Sequence, residues 1–152
     1  MTNSTITGNT ATLQGGGVYA RGRASYRELN RTMLSGNSAP IGREASVSYE
    51  PNQGRNFSIF GFSGSSSVKG FSPGTTDTVP SQPLSEILDT GLASNDGPTR
   101  TQALAKGSPA IDTITDGTCP PPARDQRGVS RPQDGNGVGW ACVCDVCFFE
   151  RQ

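Results

Sequence analysis

The chain contains no histidine. That absence excludes Ser-His-Asp and Cys-His catalysis, and any metal site that needs an imidazole ligand. Apolar residues are scarce at 32%, below the usual share for a globular domain. No apolar run approaches the length of a transmembrane helix. Charge of one sign is nowhere concentrated. The 13 basic and 13 acidic residues cancel, and no run of like charge exceeds two. A nucleic-acid partner would call for a basic stripe, and none is visible. Thr2-Asn3-Ser4-Thr5 follows Met1 with no apolar signal-peptide core. An exported protein would carry its export signal outside this chain.

What is plentiful is small and polar. There are 20 glycines and 11 prolines in 152 residues, with abundant Ser, Thr and Asn. That length is one domain's worth of chain, with too little apolar side chain for a thick core. Two architectures suit such a composition. One is a loop-rich, partly disordered chain; the other is a thin solenoid whose small residues stack in register.

A repeat favours the second. Asn3-Ser4-Thr5-Ile6-Thr7-Gly8-Asn9-Thr10-Ala11 resembles Asn30-Arg31-Thr32-Met33-Leu34-Ser35-Gly36-Asn37-Ser38-Ala39. Aligning Ile6 with Leu34 also aligns Gly8 with Gly36, Asn9 with Asn37 and Ala11 with Ala39, an offset of 28 residues. A weaker third copy starts at Asn56, with Ile59 in the Ile6 place. Repeats of this size mark solenoids. The expected fold is therefore all-β, a right-handed parallel β-helix, with rungs about 4.8 Å apart. Ile6, Leu34 and Ile59 would stack as an inward aliphatic ladder. Asn9 and Asn37 would stack as an amide ladder at a bend, each bonding the next rung. Gly15-Gly16-Gly17 would form a tight corner before Val18-Tyr19. The first rung, at Thr5–Thr7, would present an edge that frays or self-associates.

The expected organisation has three parts: β-helix rungs over 1–62, a Gly/Ser/Thr/Pro-rich loop segment over 63–83, and an end module over 84–152. In the last, Leu84, Ile87 and Leu88 share one face of a short helical turn, with Gly91 placed to cap it. The apolar pairs Ala103-Leu104 and Ala110-Ile111 read as two short strands.

The end module carries the most distinctive motifs. These are Leu88-Asp89-Thr90-Gly91-Leu92-Ala93-Ser94-Asn95-Asp96-Gly97-Pro98-Thr99-Arg100-Thr101-Gln102-Ala103-Leu104, Gly107-Ser108-Pro109-Ala110-Ile111-Asp112, Asp125-Gln126-Arg127-Gly128 with Arg131-Pro132, and Cys144-Asp145-Val146-Cys147-Phe148-Phe149-Glu150. In this order they resemble the C-terminal module of bacterial choice-of-anchor Q domain proteins. The Thr5-Ile6-Thr7-Gly8-Asn9 and Gly15-Gly16-Gly17-Val18-Tyr19 segments resemble that family's preceding rungs. The sequence departs from the family at Asp96, usually Gly, and at Gln102, usually His. It departs again at Cys147, usually Gly, and Phe148, usually Ala. The resemblance implies a right-handed β-helix surface protein of bacteria, extracellular or at the cell surface. This chain would be its C-terminal fragment, with upstream β-helix rungs missing. Cell-surface glycans or proteins are the partners it implies.

Five groupings of residues invite a site. Cys119, Cys142, Cys144 and Cys147 are a four-thiolate zinc set on paper, but zinc ribbons pair two Cys-x-x-Cys knuckles and only one exists here. A structural disulfide is the stronger expectation, with Cys119 to Cys144 the first choice. Asp112, Asp125 and Asp145 with Arg127 and Arg131 are the nearest match to a solenoid polysaccharidase's carboxylates. Their place in the end module favours a structural polar network instead. Asp134-Gly135-Asn136-Gly137, running on to Asp145, partly matches a calcium loop, but Val138 stands at a ligand position, so a glycine-rich turn is expected. Asn3, Asn30 and Asn56 begin N-x-Ser/Thr sequons that composition alone explains. Tyr19 and Trp140 are candidate sugar-stacking aromatics, though isolated aromatics more often pack. No cofactor is expected. The function expected is structural or adhesive and non-catalytic. A polysaccharide-acting β-helix enzyme and a module for surface anchoring alone are the alternatives.

Overall fold

The computed structural model describes residues 1–22, 28–48, 55–61, 68–70, 72–115, 122–137 and 144–146. The chain divides into two compact units, Met1–Gln82 and Pro83–Gln152.

Among its described residues the first unit has eight short strands: β1 (Thr5–Ile6), β2 (Val18–Ala20), β3 (Leu29–Asn30), β4 (Met33–Leu34), β5 (Ala45–Val47), β6 (Arg55–Asn56), β7 (Ile59–Phe60) and β8 (Val68–Lys69). Their pairings with one another are parallel. Two sheets hold three strands each, in the orders β1-β4-β7 and β2-β5-β8, and a third holds β3 and β6. The strands are short because the repeat places a bend after every two or three residues. The equivalent glycines Gly8 and Gly36 both sit at positive φ, at 71° and 76°, which only glycine adopts without a steric penalty. Gly16 answers a different need. A Cβ there would lie 2.5 Å from the Arg43 carbonyl and 2.6 Å from that of Ser38. The first copy's corner thus packs directly on the second copy's backbone.

The expected right-handed parallel β-helix is not what the structure shows. The parallel strands exist, but among the described residues they form small open sheets of at most three strands, not closed into a solenoid. The reason lies in the repeat. Two good copies and one degenerate copy can build a three-strand ladder and no more. Beyond β8 the described residues of the first unit add a single bridge, Ile59 to Thr78.

The ladder register also differs from the expected one. Ile6 lies opposite Leu34, but Leu34 lies opposite Phe60, while Ile59 lies opposite Met33. Adjacent residues of a strand face opposite ways, so a shift of one residue exchanges the faces. The column is therefore Ile6, Leu34 and Phe60. Leu34 and Phe60 are fully buried in a core with Leu29, Ala45 and Val47, against which Ile6, Val18, Ala20 and Val68 pack. Burying each large aliphatic or aromatic side chain contributes about 1.5–3 kcal/mol. Met33 and Ile59, facing the other way, are buried too.

The second unit has a different construction. Helix α1 (Leu84–Ile87) is a single turn. It stops because Leu88 is extended, with φ −155° and ψ 144°, and bridges Leu104 antiparallel. Ile87 and Leu88 are buried, as is Leu104. The two strands expected at Ala103-Leu104 and Ala110-Ile111 do not form. Leu104 makes one bridge, and Ile111 N–H donates to Ser108 O in a turn. The buried Ala110 accepts from Val146 N–H through its carbonyl. Further antiparallel bridges join Ala93 to Thr101, Ile114 to Cys144 and Arg124 to Ser130.

Candidate functional site

The polar residues of the second unit hold backbone. Asp125 is buried at the turn of the Arg124–Ser130 hairpin. Its Oδ1 accepts the N–H groups of Arg127 (2.8 Å) and Val129 (3.0 Å). Its Oδ2 accepts Arg127 Nε–H at 2.8 Å, and Arg127 Nη2 lies 2.8 Å away. This is a fork of two charge-assisted bonds. The hairpin is tied to the first motif of the unit by Gln126 Nε2, which donates to Thr99 Oγ1 at 2.9 Å.

Asp112, Asp145 and Arg131 form a second cluster. Asp145 Oδ1 accepts Asp112 N–H at 2.8 Å, and Arg131 Nη2 donates to the Asp145 carbonyl at 2.9 Å. Asp112 itself, at positive φ, turns its carboxylate to the glycine-rich loop. It accepts Asn136 N–H at 3.0 Å and Gly135 N–H at 3.4 Å. Asp134 Oδ1 accepts Gly137 N–H at 2.6 Å. The loop read as a partial calcium site thus offers amides to an internal carboxylate. Val138 lies outside the described residues. Among the described residues, no three His, Cys, Asp or Glu side chains group so as to hold a metal.

Cys144 is fully buried and disulfide-bonded. Cys119, Cys142 and Cys147 lie outside the described residues, as does Trp140. Gln102, where the resembling family has His, donates Nε2–H to the Thr90 carbonyl at 2.9 Å, a bond an imidazole N–H can also make.

The first unit holds a polar cluster with one member that sequence reading missed. Asn37 Oδ1 accepts both the backbone N–H and the side-chain amide of Asn9, each at 3.0 Å. Asn37 Nδ2 donates to the Ile6 carbonyl (2.9 Å) and to Glu44 Oε2 (2.6 Å). Glu44 is only 4% exposed. It also accepts N–H from Gly36 (3.0 Å) and Asn37 (3.3 Å). Burial pushes its carboxyl above the ordinary range, against the opposing pull of the Asn37 and Gly36 bonds and of Arg43. Nothing local in the sequence marks Glu44 for burial. Its space is provided by Gly61, where a Cβ would come 2.5 Å from Glu44 Cγ.

The outer face of β2, β5 and β8 forms an open groove of about 670 Å³. Register sets its floor. Tyr19 lies opposite Ser46, and Ser46 opposite Lys69. In β2 the flanking Val18 and Ala20 pack on the core while Tyr19 stays 47% exposed. Gln14, Arg21 and Ser48 complete the polar rim. Ser46 Oγ–H donates to Gln14 Oε1 at 3.3 Å. The sequence signal was the apolar-polar-apolar alternation of Val18-Tyr19-Ala20 and Ala45-Ser46-Val47, too short to stand out.

Comparison with family models, with curated proteins and with solved structures yields no match for this chain. Among the described residues, no helix is long and apolar enough to cross a membrane.

Proposed function

We propose that the chain is a non-catalytic structural and adhesive segment of a bacterial surface protein. One observation carries this reading: the Asp and Arg side chains that first invite a catalytic interpretation hold loops together. Asp125, Asp112 and Asp145 accept backbone N–H groups, and Asp125 is also gripped by Arg127. A glycoside hydrolase needs two carboxylates flanking an open cleft. The extracellular placement rests on the motif resemblance and is supported by the Cys144 disulfide, since such bonds persist in oxidising compartments. Surface anchoring is compatible with the same architecture. The partners proposed are glycans or proteins of a cell surface.

The test pairs a glycan array with a polyuronate-cleavage assay on the purified chain. Binding without cleavage is expected. Cleavage that is lost in Asp112→Asn, with the urea midpoint of that variant unchanged, would overturn the reading.

A further inference from the structure

We propose that the open edge of β1 pairs with the same edge of a second copy of this chain, antiparallel and about a two-fold axis at Ile6. This goes beyond the adhesive reading and does not rest on it. Three features of the edge point to that occupant.

The first is hydrogen bonding. Among the described residues, β1 stands at the end of its sheet, with β4 as its neighbour on one side. Met33 and Ser35 donate their N–H groups to the carbonyls of Ser4 and Ile6. Thr5 and, two residues on, Thr7 therefore turn their backbone groups the other way. The Thr7 carbonyl accepts the Asn9 side-chain amide at 3.2 Å and keeps a second lone pair. Turning a second copy end over end about Ile6 sets Thr5 opposite Thr7 of that copy, and Thr7 opposite its Thr5. Each pair exchanges two N–H···O bonds, as an antiparallel ladder requires.

The second is what the edge lacks. Strand edges are ordinarily blunted by charge, proline or a bulge. From Thr2 to Ala20 there is no charged residue and no proline. At the far edge of the neighbouring sheet, by contrast, β8 carries the exposed Lys69. Like charges placed opposite each other would oppose self-pairing, and the β1 edge has none.

The third is the unfinished apolar column. Ile6 is half-buried, whereas Leu34 and Phe60 in the same column are fully buried. In the neighbouring sheet Val18 and Ala20 are half-buried, while their partners Ala45 and Val47 are buried. In the pairing, Ile6 lies opposite Ile6 of the second copy, so each covers the flank the other leaves open. Because both chains use the same patch, the assembly closes at two copies.

The experiment is sedimentation velocity of the full chain from about 5 µM to about 1 mM, a range that brackets the micromolar Kd of so small an interface. A monomer–dimer equilibrium is expected. Amide exchange resolved by residue on the same samples should show Thr5 open at the dilute end and at least about tenfold better protected at the concentrated end. Thr5→Pro removes an N–H that the pairing with β4 does not use, at an edge position where proline is tolerated. It should weaken the dimer at least about tenfold, the scale of two lost backbone hydrogen bonds. Thr7→Lys puts like charges across the axis within about a Debye length and should weaken it about threefold, more at low salt. The urea midpoint of each variant at the dilute end should match that of the native chain. A chain that stays monomeric at the concentrated end overturns the proposal, as does a dimer that neither variant weakens. Growth past the dimer into longer assemblies overturns the two-fold pairing. A dimer that survives on a non-reducing denaturing gel is joined through cysteine and overturns it too.

Discussion

Replacing Asn37 with alanine tests the polar cluster of the first unit most directly. The Asn37 side chain makes four hydrogen bonds, two accepted from Asn9 and two donated, to Ile6 O and Glu44 Oε2. A neutral bond of this kind contributes about 1 kcal/mol net, and one to a charged group about 1.5–3 kcal/mol. Water can reach Asn9, which is exposed, but not Glu44. The variant therefore loses about 3–5 kcal/mol at neutral pH, the largest share from the buried carboxylate, which keeps the backbone N–H groups of Gly36 and residue 37 but loses its side-chain donor. With a urea m-value of about 2 kcal/mol per molar, the unfolding midpoint falls by roughly 2 M.

The pH dependence has a definite sign. Burial raises the Glu44 pKa in the folded chain, so the folded state binds this proton more readily than the unfolded state. Its contribution to stability is less favourable above the folded pKa and improves as pH falls towards the ordinary carboxylate value. Removing the Asn37 donor raises the folded pKa further. The Asn37→Ala penalty should then be smaller at about pH 5 than at about pH 7. In a Glu44→Gln background that difference should vanish. A penalty below about 1 kcal/mol, or one that is the same at both pH values, would refute the reasoning.

Three further outcomes are expected. Asp125→Asn places an amide N–H₂ among N–H donors and breaks the Arg127 fork; it should cost about 2–4 kcal/mol by thermal or urea unfolding, and a loss under about 0.5 kcal/mol would remove the fastening role. Cys144→Ala deletes a disulfide and a fully buried side chain, so about 2–5 kcal/mol should go; a reductant should destabilise the native chain but leave the variant unmoved. Met33 N–H donates to Ser4 O and Ser35 N–H to Ile6 O, so Thr5 turns its backbone to the open side of β1. Its amide should exchange at least about tenfold faster than that of Met33, and equal protection in a monomer would contradict the edge assignment.

Some of this was legible in the chain. Identical residues at a fixed spacing, Asn9 with Asn37 and Gly8 with Gly36, announce parallel pairing, because only in-register stacking gives a repeated bend a repeated residue. The choice between Ile59 and Phe60 for the third step was not legible. Both are apolar and adjacent, and the core selects between them by which face it fills. Two good copies do not dictate a closed solenoid. A repeat unit states how one copy meets the next, not how many copies a ladder holds. The end-module motifs marked Asp125, Arg127 and Asp112 as polar residues with a task, but a carboxylate in a cleft and one capping a turn have the same one-letter code.

Composition and local preference settle which chemistry is unavailable, where the chain bends, and which residues repeat. Those follow from covalent identity and local backbone preference, which need no partner. The tertiary structure alone decided that Glu44 is buried, that Phe60 completes the column, and that Tyr19, Ser46 and Lys69 share one face. Each depends on residues distant in sequence meeting in space. Glu44 fits only because Gly61 has no side chain, and the groove exists only because three strands align in register.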